Sequence, residues 1–226
     1  MKSIISAVII LLGLNCFAQD SNDQVTVIKG GSIQTMSIQS KPKETKGSCY
    51  YNDEWYIGTI KLFSGEEIQS YPLKYDMKMN QIDIKVNETV KIVSIGAVKE
   101  ITWIKPNGKA EVLKNIGTFK GFEGYGFFSL ISEGKITLLK KTNLLIMESN
   151  YNVTMDVGTK SDNYVKKDKY YVKTGDKISE VKLKKKIILK KFKENAEKVE
   201  SYITENNLKL KDENDLKQIF DFYNNL

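Results

Sequence analysis

Residues 55–86 read WYIGTIKLFSGEEIQSYPLKYDMKMNQIDIKV. Three short runs alternate apolar and polar residues, with Ser64-Gly65 and Asn80-Gln81 between them. In the first run Tyr56, Gly58, Ile60 and Leu62 share a face. In the last, Ile82, Ile84 and Val86 alternate with Asp83 and Lys85. Successive side chains of a strand point to opposite faces, so a period of two between turn residues predicts an antiparallel meander with one buried face.

The same pattern continues on the C-terminal side. Val90 to Val93 and Val98 to Ile104 read as strands. Pro106-Asn107-Gly108 then separates Ile101–Ile104 from Ala110–Leu113. An Asn-Gly pair between such runs is a hairpin signal, because both residues tolerate positive φ. Glu133-Gly134 between Phe127–Ile131 and Lys135–Leu139 predicts a second hairpin. Thr174-Gly175-Asp176 between Tyr170–Val172 and Ile178–Leu183 predicts a third. On the N-terminal side, Val25–Ile28 and Ile33–Ile38 read as short strands around Gly30-Gly31, and 39–47 as a polar loop. About ten short strands at this spacing exclude βαβ units as the main architecture.

The period changes after Leu183. Ile188, Phe192, Ala196, Val199 and Ile203 fall at helical spacing, with Asn206-Asn207 as the stop. Asp212 is placed as an N-cap, with Glu213 and Asp215 near the positive end of the helix dipole. Leu216, Ile219, Phe220 and Tyr223 form an i, i+3, i+4, i+7 stripe that must find an apolar partner. The fold class is therefore α+β, mainly β. We expect an antiparallel meander forming a sandwich, roll or partly closed barrel, with a C-terminal helical cap. The expected organisation is a signal peptide over 1–18, a β-rich domain over 19–183 and a helical segment over 184–226 packed on that domain.

The leader expectation comes from MKSIISAVIILLGLNCFAQ. Lys2 precedes an apolar stretch from Ile4 to Leu14, and Cys16 and Ala18 are the small residues before a cleavage at Gln19. The stretch is short for a spanning helix, which needs about 20 residues. Acylation of Cys16 is an alternative that Asn15 fits poorly. Export puts the chain in the periplasm, outside the cell or at the outer membrane. Only Cys49 remains after cleavage, so the exported chain holds no internal disulfide, and packing must stabilise it.

Two absences restrict the chemistry. The chain has no histidine, and all 35 of its basic residues are lysine. Without histidine it lacks the usual general base and the commonest metal ligand. Without arginine it lacks the fork that reads guanine and phosphate, so nucleic acid is excluded as the expected partner. No EF-hand loop, phosphate loop or zinc spacing occurs, and no cofactor is implied. FEGYGFF, residues 122–128, is not a dinucleotide fingerprint; its glycines read as a bulge or a close backbone approach. Ser40-x-x-Lys43 and Ser179-x-x-Lys182 match a nucleophile motif whose companion motifs are missing. Glu54, Glu66, Glu67 and Asp76 are the acids a carboxylate-dependent hydrolase would draw on, and they sit where turns ordinarily carry acids.

Two surfaces are candidates for binding. Tyr51, Trp55, Tyr56, Tyr71 and Tyr75 gather aromatic rings around the meander; such rings stack on sugars or pack in the core. Residues 160–193 hold 13 lysines and four acids. Within them Lys184, Lys185, Lys186, Lys190 and Lys191 are interleaved with Ile187, Ile188, Leu189 and Phe192. That run reads either as a peripheral membrane-surface segment or as a solvated face balanced by the acidic tail, which has four lysines and eight acids from Glu194 onward.

The stretch 55–84 resembles the opening of uncharacterised secreted envelope proteins of the Bacteroidota type, in the pattern G-x-I-x-L-x-x-G-x-x-I-x-x-x-P-L-K-Y-D. FFSLISEGKITLLKK, YYVKTGDKISEVKLKKKIILKKF and ENNLKLKDENDLKQIFDFYNNL are similar to their middle and C-terminal parts. The resemblance implies export and carries no activity and no functional residue. The sequence thus points first to a non-enzymatic envelope interaction or structural module, with an envelope protein, glycan or lipid as partner. A carbohydrate- or lipid-binding module is the first alternative and a carboxylate-dependent hydrolase the second.

Overall fold

The computed structural model describes residues 45–226 except Val153, together with the backbone of two earlier strands. The chain divides into two compact units, residues 1–43 and 44–226. In the first, β1 (Gln24–Lys29) pairs antiparallel with β2 (Ser32–Ser37), at the two places where short strands were expected. The leader, its cleavage site and the Ser40–Lys43 motif lie outside the described residues.

The second unit is one large sheet with helices on one face. A two-residue strand, β3 (Thr45–Lys46), opens it. The first meander is β4 (Tyr56–Leu62), β5 (Glu67–Asp76), β6 (Gln81–Val86) and β7 (Thr89–Ser94). The second is β8 (Val98–Ile104), β9 (Ala110–Asn115), β10 (Phe127–Ser132), β11 (Thr137–Met147), β12 (Asp162–Thr174) and β13 (Lys177–Val181). They join through an antiparallel pairing of β4 with β8, giving the order β13-β12-β11-β10-β9-β8-β4-β5-β6-β7. β3 adds a short parallel pairing to β12, which makes the sheet mixed. β7 and β13 stand at opposite ends, so the sheet is not closed into a barrel.

The turn residues do what their chemistry requires. Asn80 and Asn87 take φ of 52° and 55° at the ends of β6, a region that asparagine tolerates. Gly108 takes φ of 77° in the β8–β9 hairpin and donates its N–H to the Lys105 carbonyl. Gly58 is needed for a different reason. A Cβ there would lie 2.6 Å from the Thr102 carbonyl oxygen and 2.8 Å from the Trp103 Cβ, so only glycine lets β4 approach β8 this closely.

Two apolar clusters form on the same face of the sheet. The first meander and its neighbours supply Ile60, Leu73, Ile82, Ile101, Trp103, Leu113 and Phe127. Further along, Ile131, Leu138 and Val172 meet the helices. Phe127, Ser129 and Ile131 alternate along β10, and Ser129 pairs with both Leu113 and Lys140, which ties the two clusters to one face. The opposite face carries a smaller cluster of Phe128, Leu139 and Tyr171 under the loop residues Phe119 and Phe122.

Three helices follow: α1 (Lys185–Leu189), α2 (Ala196–Glu205) and α3 (Glu213–Asn225). Lys193, at φ 49°, breaks the helix expected from Ile188 to Ile203. α3 lays Leu216, Ile219, Phe220 and Tyr223 into the core, as its stripe requires. Cys49 is a half-buried free thiol, its pKa pushed up by burial and then by Asp76. Cys49→Ser should therefore shift the urea midpoint by no more than the equivalent of about 1–2 kcal/mol. The midpoint should be the same with and without reductant; a dimer that dissolves in reductant would contradict it.

Candidate functional site

Between the two apolar clusters the helix-bearing face turns polar. Pairing and alternation put Glu111 of β9, Ser129 of β10, Lys140 and Thr142 of β11, and Asp168 of β12 on this face. Two neighbouring cavities open over them, of about 550 and 300 Å³, and share Lys105 and Glu111. The larger runs from the β8–β9 hairpin to the start of α3. The smaller is lined by Tyr51, Asn52, Tyr56, Lys105, Glu111, Lys140, Thr142, Lys166 and Asp168.

Glu111 is the floor of this cleft. Only 5% of its surface is exposed, and four donors reach it. Trp103 Nε1–H donates to Oε2 at 3.0 Å. Oε1 accepts from the Tyr51 hydroxyl at 3.0 Å, the Ser129 hydroxyl at 2.9 Å and the Lys105 ammonium at 3.0 Å. Burial raises the cost of its charge, but the Trp103 N–H, the Lys105 ammonium and the Ser129 hydroxyl together hold its pKa below the ordinary glutamate value. Burial, and then this contact with Glu111, push the Tyr51 phenol well above its usual value, so it stays a donor.

Tyr51 is placed by Asn52. The buried Asn52 side chain donates to the carbonyls of Leu73 (3.0 Å) and Glu54 (2.8 Å) and accepts from the Tyr75 N–H at 3.1 Å. This pins residues 50–54 along β5, where Tyr50 also bridges to Asp76. The walls are built from ion pairs. Lys140, 11% exposed, meets Glu213 at 2.5 Å, and this partner outweighs burial and raises its pKa. Glu213 is available because Asp212 caps α3, accepting from the N–H groups of Asn214 and Asp215. Lys166 pairs with Asp53 at 3.0 Å, and Thr142 donates to Asp168 at 2.6 Å.

The structure divides the aromatic group proposed from sequence. Tyr51 and Tyr56 line the cleft, and both rings contact Trp103, with centroids 5.8 and 5.6 Å away. Tyr75 does not belong with them: it is 4% exposed, inside the meander core, because it alternates with Asp76 onto the buried face of β5. Tyr71 is exposed opposite Gly58. Trp55 stacks under Lys74, which shares that ammonium with Tyr50, and lines neither cavity. Tyr50 donates to Asp83 at 3.0 Å, and burial with this acid pushes its pKa up to about 12.

Lys184, Lys185, Lys186 and Lys190 are exposed, while Lys191 reaches the Ser179 hydroxyl at 3.2 Å. Lys185 pairs with Glu200 at 2.8 Å. Of the apolar residues between them, Ile188 and Phe192 are buried in the helical core, and Ile187 and Leu189 pack against it partly buried. Glu54, Glu66 and Glu67 are exposed, and Asp76 accepts from the N–H groups of Lys78 and Met79 in a turn. None of these four acids lines either cavity.

Sequence reasoning passed over Glu111, Lys105, Lys140, Lys166 and Asp168. One signal was present: Glu111 lies two residues from Leu113 and therefore shares its inward face. Among the described residues no group of three His, Cys, Asp or Glu side chains is placed to hold a metal ion. No helix among them is long and apolar enough to cross a membrane. Comparison with protein-family models, curated proteins and solved structures finds no match to this chain.

Proposed function

We propose that this chain is a non-enzymatic, exported binding module that takes a saccharide into the cleft between its two apolar clusters. The observation that carries this reading is the lining of the smaller cavity. Two tyrosine rings stand beside lysine, threonine and aspartate side chains on a rigid sheet. Such a mixture of aromatic faces and fixed polar groups orients a hydroxylated ring. The resemblance to secreted envelope proteins agrees with export.

Glu111 suits an anchoring role rather than that of a general acid. A glycosidase acid must hold a proton near neutral pH, which calls for a raised pKa. Glu111 is held low, with both oxygens already occupied. Its work is to anchor Tyr51, Lys105 and Trp103.

The test is an oligosaccharide array followed by calorimetry on the hits. Tyr56→Ala should weaken the best hit at least about tenfold, a typical loss for a central aromatic contact. Changing Lys184, Lys185, Lys186, Lys190 and Lys191 to Gln together should leave it unchanged. Binding that survives Tyr56→Ala, or that is lost with the five lysines, would move the function away from the cleft.

A further inference from the structure

The ribbon formed by β11 and β12 carries an edge that the rest of the sheet leaves open. β10 begins at Phe127 and pairs with β11 only as far as Lys140, so residues 143–147 run on past it. β12 covers one side of this stretch, from Asn143 opposite Lys167 to Met147 opposite Asn163. Among the described residues no strand pairs with the other side. Every second residue of a strand turns its N–H and C=O to a given side, so this edge presents unpaired backbone donors and acceptors. Asn143, Leu144, Leu145, Ile146 and Met147 carry no charge, and the last three are 44%, 56% and 57% exposed.

Sheet edges are ordinarily blunted by lysine or by a cover. The same ribbon obeys that rule on its other side. β12 is covered by β3 at Asp162 and Asn163 and by β13 from Tyr170 onward, and between them it carries Lys166, Lys167 and Lys169. The terminal strand β7 holds Lys91 near its middle. Residues 143–147 have neither lysine nor cover among the described residues.

The occupant that fits is a second copy of the same edge. A two-fold axis normal to the sheet pairs two such edges antiparallel, and the register that engages all five residues is centred on Leu145. Leu145 then lies opposite the second copy's Leu145, Leu144 opposite its Ile146 and Asn143 opposite its Met147. Within each copy Val165 already stands opposite Leu145. The pairing therefore builds one apolar row across four strands, with the two leucines at its centre and a valine on either side, the kind of cross-strand contact that stabilises sheets. A ribbon of two strands is marginally stable in water, and pairing makes it four. The ends of the run agree with this direction. Lys141 precedes it and Glu148 follows it, neither with an ion-pair partner among the described residues. Antiparallel pairing brings unlike ends together, whereas parallel pairing would bring like ends together. We propose that this edge is a self-association site, at which two copies of the chain pair residues 143–147 antiparallel about Leu145 into one continuous sheet. The axis keeps each face on its own side, so the two clefts open in the same direction. The pairing does not depend on what the cleft binds.

The experiment is sedimentation equilibrium of the purified chain from low to high micromolar concentration. The chain should pass from monomer to dimer and stop there, because a two-fold contact closes on itself. Leu145→Lys and Leu145→Glu should each weaken the dimer at least about tenfold, since each sets like charges directly opposite one another. Both should keep the parent's thermal midpoint at concentrations where the parent is monomeric, because the position is exposed there. An equimolar mixture of the two variants should associate again, its opposed charges now unlike. In a Cys49→Ser background, Leu145→Cys should cross-link to a dimer under mild oxidation. Asn143→Cys should not, because in this register its counterpart lies four residues further along the strand, roughly 13 Å away and out of disulfide reach. A chain that stays monomeric throughout would overturn the pairing and leave the edge to a different partner. Assembly that grows past the dimer, a dimer that survives both charged variants, or cross-linking at Asn143→Cys equal to that at Leu145→Cys would overturn it as well.

Discussion

Glu111→Ala should destabilise the protein by about 3–5 kcal/mol, the loss expected when one partner of a buried charged network is removed. The carboxylate receives Trp103 Nε1–H, two hydroxyls and the Lys105 ammonium at 2.9–3.0 Å. Alanine leaves all four donors without their acceptor. Trp103 is fully buried, and its N–H loses its acceptor. Glu111→Gln keeps the shape and one acceptor oxygen but loses the charge, and should cost less. The pH dependence follows from the direction of the shift. The folded pKa lies below the ordinary value of 4.5, so the stabilisation is fully present above about 4.5 and is lost as pH falls through the lower folded value. Urea unfolding at pH 7 and pH 3 checks both statements. The parent should lose stability over that interval, and Glu111→Gln should lose less. Equal midpoints for parent and Glu111→Ala at pH 7 would remove Glu111 from its place as the anchor of the cleft.

Phe220→Ala should cost a similar amount, about 3–5 kcal/mol, the usual penalty for emptying a packed aromatic site. Phe220 is fully buried, its ring centroid 5.1 Å from that of Phe192, in a cluster that includes Ile131, Leu138 and Val172. An isolated helix of 13 residues is marginal in water, so α3 exists because this face is covered. Polar contacts fix its position on the sheet. Ser132 donates to Asp221 at 2.6 Å, and the Asn224 side chain bonds both the N–H and the carbonyl of Ile136. Deleting 212–226 would therefore expose the sheet cluster and strand Lys140 without Glu213. The truncated chain should aggregate at concentrations where the parent is monomeric. A truncated chain that stays folded and monomeric in light scattering, or a Phe220→Ala variant that melts like the parent, would mean that α3 is not part of the core.

These two residues differ in how readily the sequence discloses them. Phe220 belongs to a stripe at helical spacing, and Asp212 marks where the helix begins. Local chemistry suffices, because the apolar face of such a helix has to be buried. The same holds for 55–86 and for Asn107-Gly108, where alternation and turn residues agree with β4 to β9. Glu111 becomes significant only beside Trp103, Tyr51, Ser129 and Lys105. Tyr51 lies 60 residues away from it in the chain.

The longest strands were the least legible. Tyr170–Val172 is the visible part of a strand that runs from Asp162 to Thr174, and Lys135–Leu139 announces one that continues to Met147. Alternation fails there because Lys140, Thr142, Lys166 and Asp168 line the cleft as polar residues. They can do so because the cleft meets each with a partner, such as Glu213 for Lys140 or Asp53 for Lys166. A local rule that assigns polar side chains to the outside cannot see this, and such departures gather where a protein binds. The sequence by itself determined the mainly β class, the hairpin turns, the helical cap with its buried face and the missing histidine and arginine chemistry. Each of these depends on residues within a few positions of one another. Only the tertiary structure decided which tyrosines reach the cleft, that Glu111 lies beneath it and that three lysines converge above it. Those facts depend on the pairing of β4 with β8 and on where α3 crosses the sheet, and such long-range contacts are selected by the packing of the whole core.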